Sequence, residues 1–237
     1  MEGMGADVVL TGLLWYVVFL FSTTLHEASH AFVALKLGDP TAYEGGQVTL
    51  NPWPHIRREI FGTVVVPLIS FMLAGWMIGW ASAPYDPRWA LRWPRRSAIM
   101  SLAGPAANLS LVLVAATLIH VGRAAEVFRP PATLSFTRVV GVYEPAWEGP
   151  AMVLSILFTL NLLLFLFNLI PVPPLDGSGA LGLVLPESTA RSYQQMLWSQ
   201  PMLSLLGIVI AWNVFDRVFP PLFWLAVGWL YPGVQYG

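Results

Sequence analysis

The sequence predicts an all-α polytopic membrane protein of four to five transmembrane helices, with one re-entrant segment and a short β-element. Of its 237 residues, 56% are hydrophobic and 11% charged, with a mean hydropathy of +0.64, whereas soluble domains carry about 25% charged residues. Five stretches hold no charged side chain: Val8–Leu25, Ile60–Tyr85, Ser97–Val121, Pro150–Leu175 and Ser192–Phe215. Each reaches or approaches the ~20 residues that cross a bilayer. The basic residues gather in a few loops, and their placement orients the spans.

The first helix is expected from about Ala6 to Leu37. Lys36, Gly38, Asp39 and Pro40 supply its stop: a cation in the last turn, a capping glycine and a proline beyond. Gly45 and Gly46 followed by Gln47–Leu50 read as a short strand, which Asn51, Pro52 and Pro54 end. The Ile60–Tyr85 run is interrupted by Pro67, Gly75, Gly79 and Pro84. It is flanked by Lys36, Arg57 and Arg58 on one side and by Arg88, Arg92, Arg95 and Arg96 on the other. Both basic loops belong on the cytoplasmic side, so the run between them makes an even number of crossings and is read as re-entrant; a five-span topology is the alternative. The N-terminal tail, without Lys or Arg, is expected outside. The third run carries Ala103-Gly104-Pro105-Ala106-Ala107-Asn108, small residues that permit close helix approach. The fourth extends from Gly149 to Ile170 and breaks at Pro171, Pro173 and Pro174 before Asp176-Gly177. A fifth span is expected over about Tyr193–Phe215, ending at Asp216-Arg217, with Leu222–Tyr231 as an interfacial tail.

His26-Glu27-Ala28-Ser29-His30, an H-E-x-x-H, lies inside the first membrane-length helix. Four residues apart on a helix, the histidines project from one face and can bind one Zn²⁺, while Glu27 sits where it can take a proton from water at the metal. An ionisable cluster at that depth is costly and marks a functional site. A catalytic zinc needs a third protein ligand, and with no cysteine present it must be His, carboxylate or amide oxygen. His120 falls at the far end of its span and reads as interfacial; His55 lies in the right loop beside Pro54 and Arg57. Asp176 is the better candidate, because span one and span four end on the same side and Gly177 allows an unusual turn beside it. Two histidines and a carboxylate also suit Fe²⁺. Asn108 reads as an interhelical hydrogen-bonding residue, Asp216 and Arg217 as a span end, and the eleven tryptophans as interfacial anchors.

Together His26–His30, Ala103–Asn108 and the stretch Asn168-Leu169-Ile170-Pro171-Val172-Pro173-Pro174-Leu175-Asp176-Gly177 resemble the site-2 protease (M50) family of intramembrane zinc metalloproteases, over roughly Ala6–Leu181. The resemblance implies His26, His30 and Asp176 as ligands of one Zn²⁺ and Glu27 as catalytic base. It implies Asn168 as a residue near the scissile carbonyl that binds substrate or the oxyanion. It also implies that Gly46, Val48 and Leu50 belong to a membrane-associated β-element that aligns an unwound substrate. No PDZ or CBS module of the kind some relatives carry is expected within these 237 residues, and the chain is read as the small bacterial or archaeal type. One metalloprotease domain is expected over residues 1–237, with the motif-bearing core at about 6–181 and the C-terminal span and tail at about 192–231. The expected setting is the inner (cytoplasmic) membrane, with the active site towards the cytoplasm. A transmembrane protein is the expected substrate and the lipid bilayer the expected surroundings.

No cleaved signal peptide is expected, because no positive n-region precedes the first apolar run. The net charge of −1, with no basic tract, gives no reason to expect a nucleic-acid partner. Two rival readings remain. A membrane-anchored zincin working outside the bilayer would take a Glu from a later helix as third ligand, but Glu126, Glu144, Glu148 and Glu187 all fall in predicted loops. A non-enzymatic transporter or metal-binding membrane protein would suit the broken segments around Pro67 and Pro171, though no internal repeat supports it.

Overall fold

A computed structural model describes residues 2–200, 202–234 and 236. The first helix, α1 (Glu2–Lys36), is 35 residues long, about 50 Å at 1.5 Å per residue. It stops where its sequence signals fall: Gly38 takes φ +102°, and the Asp39 amide returns to Ala34 O. Asp39 then accepts from the amide and hydroxyl of Thr41 at the start of α2 (Thr41–Glu44).

No strand forms over Gly46–Leu50, and this corrects the sequence reading. The chain bends there instead, with Gly46 at φ +71°. The Gly46 and Gln47 amides are already taken, by Tyr43 O and Ala42 O at 2.9 Å each, and local side chains bond the chain that follows. Thr49 Oγ1 accepts from Asn51 N at 3.1 Å, Asn51 Oδ1 accepts from Trp53 N at 3.0 Å, and the His55 ring bonds Thr49 O at 3.2 Å. Such short-range bonds compete with ladder formation. They lead into α3 (Trp53–Arg58).

The next apolar run goes in as a helix and comes back as extended chain. A π-helical turn, Phe61–Val65, leads into α4 (Val66–Ala74), which Gly75 ends in the left-handed region at φ +75°. At about 1.5 Å per residue, Phe61–Ala74 is about 20 Å long, short of the ~30 Å hydrocarbon thickness. The returning chain lies against the helix: Trp80 N donates to Gly62 O at 3.1 Å and Ile78 N to Ser70 Oγ at 3.0 Å. A Cβ on Gly62 would run into Trp80 O, so only glycine admits this approach. The segment is therefore re-entrant. Its two flanks meet at one end of the molecule, where Arg96 Nη1 and Trp89 Nε1 both donate to Leu37 O and Asp39 Oδ2 accepts from Asp86 N.

After α5 (Pro87–Arg92), N-capped by Asp86, comes the long α6 (Pro94–Ala124). A hairpin with strands β1 (Phe128–Arg129) and β2 (Gly141–Val142) caps the far end; its register pairs Phe128 with Val142. The second half returns through α7 (Glu148–Asn168), and α8 (Asp176–Ala180) follows a proline-rich turn. The amphipathic α9 (Glu187–Ser199) and α10 (Met202–Leu230) complete the chain.

The last helix corrects a second expectation. It begins at Met202, Tyr193 belonging to the separate α9, and it runs through Asp216-Arg217 and Pro220-Pro221, so Leu222–Leu230 is its far end and not an interfacial tail. Phe215, Phe219 and Phe223 stack at i, i+4, with centroids 4.8 and 5.7 Å apart, and Phe215 and Phe219 also meet Phe167 and Phe136. Tertiary packing thus overrides the local helix-breaking signal.

Among the described residues, four helices are long and apolar enough to cross a membrane: Asp7–Lys36, Pro94–Ala124, Pro145–Asn168 and Met202–Leu230. Trp15 and Phe19 of α1 pack with Met77 of the re-entrant return and with Ile156 and Leu160 of α7. A second cluster joins Ile119 of α6, Phe158 of α7, Phe215 of α10 and Val139 of the hairpin. The outward faces stay apolar, as a lipid-facing surface requires; Val9, Leu13 and Val17 of α1 are all exposed.

Candidate metal centre

Two helices bring His26, His30 and Asp176 to one point. The histidines leave α1 one turn apart, and Asp176 opens α8, delivered by the turn after α7. His26 Nε2 lies 3.0 Å from His30 Nε2 and 3.0 Å from Asp176 Oδ2, and His30 Nε2 lies 3.3 Å from the same oxygen. Tetrahedral zinc with bonds of about 2.0–2.1 Å sets its ligands about 3.3 Å apart, so the donor atoms are spaced as such an ion needs.

The tautomers follow from the partners. His30 Nδ1 faces Met100 O at 2.7 Å; a carbonyl only accepts, so this nitrogen carries the proton and Nε2 presents a lone pair. For His26 the argument runs along a chain of amides. Asn161 Nδ2 donates to Leu157 O at 2.8 Å, which fixes that amide, and also to Ser22 Oγ at 2.9 Å. Its Oδ1 accepts from Asn108 Nδ2 at 2.8 Å, leaving Asn108 Oδ1 to accept from His26 Nδ1. Two bare Nε2 lone pairs therefore face one another and a carboxylate oxygen, an arrangement that only a cation makes favourable. Space for it exists because position 104 has no side chain: a Cβ on Gly104 would strike both His26 Nε2 and His30 Nε2.

Glu27 is buried beside the cluster. It shares with His30 and Asp176 a cavity of about 310 Å³, also lined by Ala81, Ser82, Ala83 and Tyr85 of the re-entrant return and by Tyr193, Gln194 and Trp198 of α9. That volume admits several water molecules. Trp198 Nε1 donates to the Tyr85 hydroxyl at 3.3 Å, closing one side. Burial pushes the Tyr193 phenol above its ordinary value, so it stays protonated and able to donate.

The other candidates fall elsewhere. Gly177 shows no left-handed backbone; it is required because a Cβ there would meet the Leu169 and Ile170 carbonyls. Asn168 donates to Leu164 O at 3.0 Å on its own helix and is absent from the cavity lining. Val48 and Leu50 line a different, apolar groove of about 520 Å³ with Leu25, Phe32, Ala103 and Ala107. His55 is buried on Thr49 O, and His120 packs edge-on against Trp229, centroids 5.6 Å apart. None of the later glutamates joins the two histidines among the described residues. Sequence reasoning missed Asn161, although an amide in mid-span signals a buried polar contact as clearly as Asn108 does.

A polytopic helical protein with an H-E-x-x-H on a spanning helix, a convergent carboxylate and a water-sized cavity is a membrane metallohydrolase by class. The Peptidase family M50 profile matches residues 14–209, and the chain belongs to that family, the site-2 proteases. It is 31% identical to "Putative zinc metalloprotease YwhC" of Bacillus subtilis, across 87% of this chain and 92% of that one. It is 33% identical to "Putative zinc metalloprotease Rip2" of Mycolicibacterium smegmatis, across 73% of this chain and 58% of that one. Against the Mycobacterium tuberculosis protein of the same name, identity is 30% across 87% and 70%. No solved structure matches. The protein is a membrane zinc metalloprotease.

Proposed function

We propose that the protein hydrolyses peptide bonds within or near the transmembrane segments of membrane protein substrates, as one metalloprotease domain over residues 1–237. The observation that carries this reading is the position of Glu27 and His30 on a spanning helix, facing a cavity lined also by Asp176, the re-entrant return and α9. His26, His30 and Asp176 hold the zinc in this scheme. Bound zinc supplies Lewis acidity, lowering the pKa of water towards ~7 and polarising the scissile carbonyl.

Glu27 acts on the water as general base, keeps the proton on its carboxyl and passes it to the departing amine. Asn108 and Met100 O hold the two imidazoles in the Nδ1–H tautomer throughout. Asn168 reaches a substrate carbonyl only by leaving Leu164 O and turning into the cavity, whose lining does not include it. A helical substrate must unwind to expose a carbonyl, and the extended Ala81–Ala83 segment offers the edge on which it pairs. Those residues line the cavity, and their backbone amides make no backbone hydrogen bond among the described residues. The basic residues near α5 and the start of α6 favour the cytoplasmic side for this end, in the cell membrane.

The test is reconstitution into liposomes with a single-span substrate and mass-spectrometric mapping of the cut. Cleavage inside or within a few residues of the span supports the reading. Cleavage confined to soluble loops, with intact spans, overturns it. Proline at Ser82, which removes one pairing amide, should slow cleavage of a helical substrate more than that of an unstructured peptide.

A further inference from the structure

The outward face of α10 carries three polar side chains near the middle of a helix long and apolar enough to cross a membrane. The helix joins the two ends of the molecule. Gly207, near its start, packs so closely on Pro173, beyond the end of α7, that a Cβ there would strike the Pro173 carbonyl. Leu230 O, at its end, accepts from Arg123 Nη1 of α6 at 2.6 Å. At about 1.5 Å per residue, Asp216 lies about 20 Å from Met202 and about 20 Å from Leu230. Asp216, Arg217 and Asn213 are all exposed, while Gly207, Ala211, Phe215 and Phe219 form the buried face. Among the described residues neither Asp216 nor Arg217 has an ion-pair partner. Asn213 returns one N–H to Val209 O and leaves its carbonyl oxygen facing outwards. Charges facing lipid at that depth are expensive, and such residues meet partners.

We propose that α10 pairs with α10 of a second copy of this chain, in the same orientation, about a two-fold axis along the membrane normal. Ile210, Asn213, Arg217, Pro220 and Trp224 recur at intervals of four and three, the heptad spacing of a helix–helix seam. A two-fold axis of this direction brings each residue to the level of its own counterpart. Asn213 therefore meets Asn213, and a central asparagine in a parallel seam fixes register. Asp216 and Arg217, one residue apart, pair reciprocally across the axis, so each copy satisfies the other's charge. A sequence with only one sign of charge at this level could not pair with itself. The metal centre lies on the opposite side of α10 from this seam, and the pairing leaves its residues untouched.

The chain has no cysteine, so single-cysteine variants of the full protein report the contact directly. In nanodiscs or native membranes, Asn213→Cys should form a disulfide-linked dimer under mild oxidation. Leu113→Cys, equally lipid-facing on α6, should not. In the Asn213→Cys background, Asp216→Arg or Arg217→Asp alone should reduce cross-linked dimer by about tenfold, because like charges then meet at the seam. The double exchange Asp216→Arg with Arg217→Asp should restore it, which a general folding defect would not. Equal cross-linking at positions 113 and 213, no loss on single charge reversal, or capture of a different protein at position 213 would each overturn the proposal.

Discussion

Gly104 shapes the proposed metal centre through the side chain it lacks. A single methyl group there would occupy the space in front of both Nε2 atoms. Gly104→Ala should weaken zinc binding by at least about tenfold, whereas Gly149→Ala, whose Cβ meets nothing, should leave it unchanged; chelator competition measures both. Asn161 acts at one remove. It holds Asn108, which holds His26, and partners of this kind set zinc affinity by about 10–100-fold when removed. Asn161→Ala should lower affinity within that range. It should also cost about 1–3 kcal/mol of stability by stranding the Asn108 amide, read from denaturant midpoints. His26, Glu27 and His30 were legible in the sequence because helical geometry fixes residues four apart. Asp176 was legible from the broken span before it. Asn108 was legible as an interhelical hydrogen-bonding residue, but the partners along the amide chain were not, because contacts such as Ser22 with Asn161 span 139 positions and no local pattern records who meets whom.

At the level of elements, the re-entrant segment was readable from charge placement and the strand at Gly46–Leu50 was misread. The two cases differ in what decides them. Membrane topology follows summed loop charge, whereas a four-residue strand competes with short-range bonds, here from Gly46 and Gln47 to the preceding turn and from the His55 ring to Thr49 O. The same limit applies at α10, where Asp216, Arg217 and two prolines signalled an end that aromatic stacking overrides. The topology is testable with the cysteine-free background. Arg57→Cys and Arg88→Cys should react with a membrane-impermeant thiol reagent from one side, and Arg129→Cys from the other. Leu73→Cys, at the tip of the re-entrant helix, should stay unlabelled from both. Labelling of position 73 from the Arg129 side would show a full crossing.

For the whole molecule, the arrangement meets two opposed requirements. The outer surface is apolar enough for lipid, and the interior keeps a cavity large enough for water beside buried ionisable groups. Four spans alone would leave that cavity exposed to lipid. The re-entrant return closes it on one side and the amphipathic α9 on another, with Tyr85 and Trp198 in contact between them. Removing zinc with a chelator should abolish cleavage, and stoichiometric zinc should restore it in the same sample without refolding, because the amide chain keeps the ligands in place.

The most direct measurement is zinc content beside cleavage for the wild-type protein, Glu27→Gln and Asp176→Ala in one detergent preparation. The account predicts one zinc and cleavage for wild type, one zinc and no cleavage for Glu27→Gln, and loss of both for Asp176→Ala. Full zinc and activity in Asp176→Ala, or activity in Glu27→Gln, would contradict it.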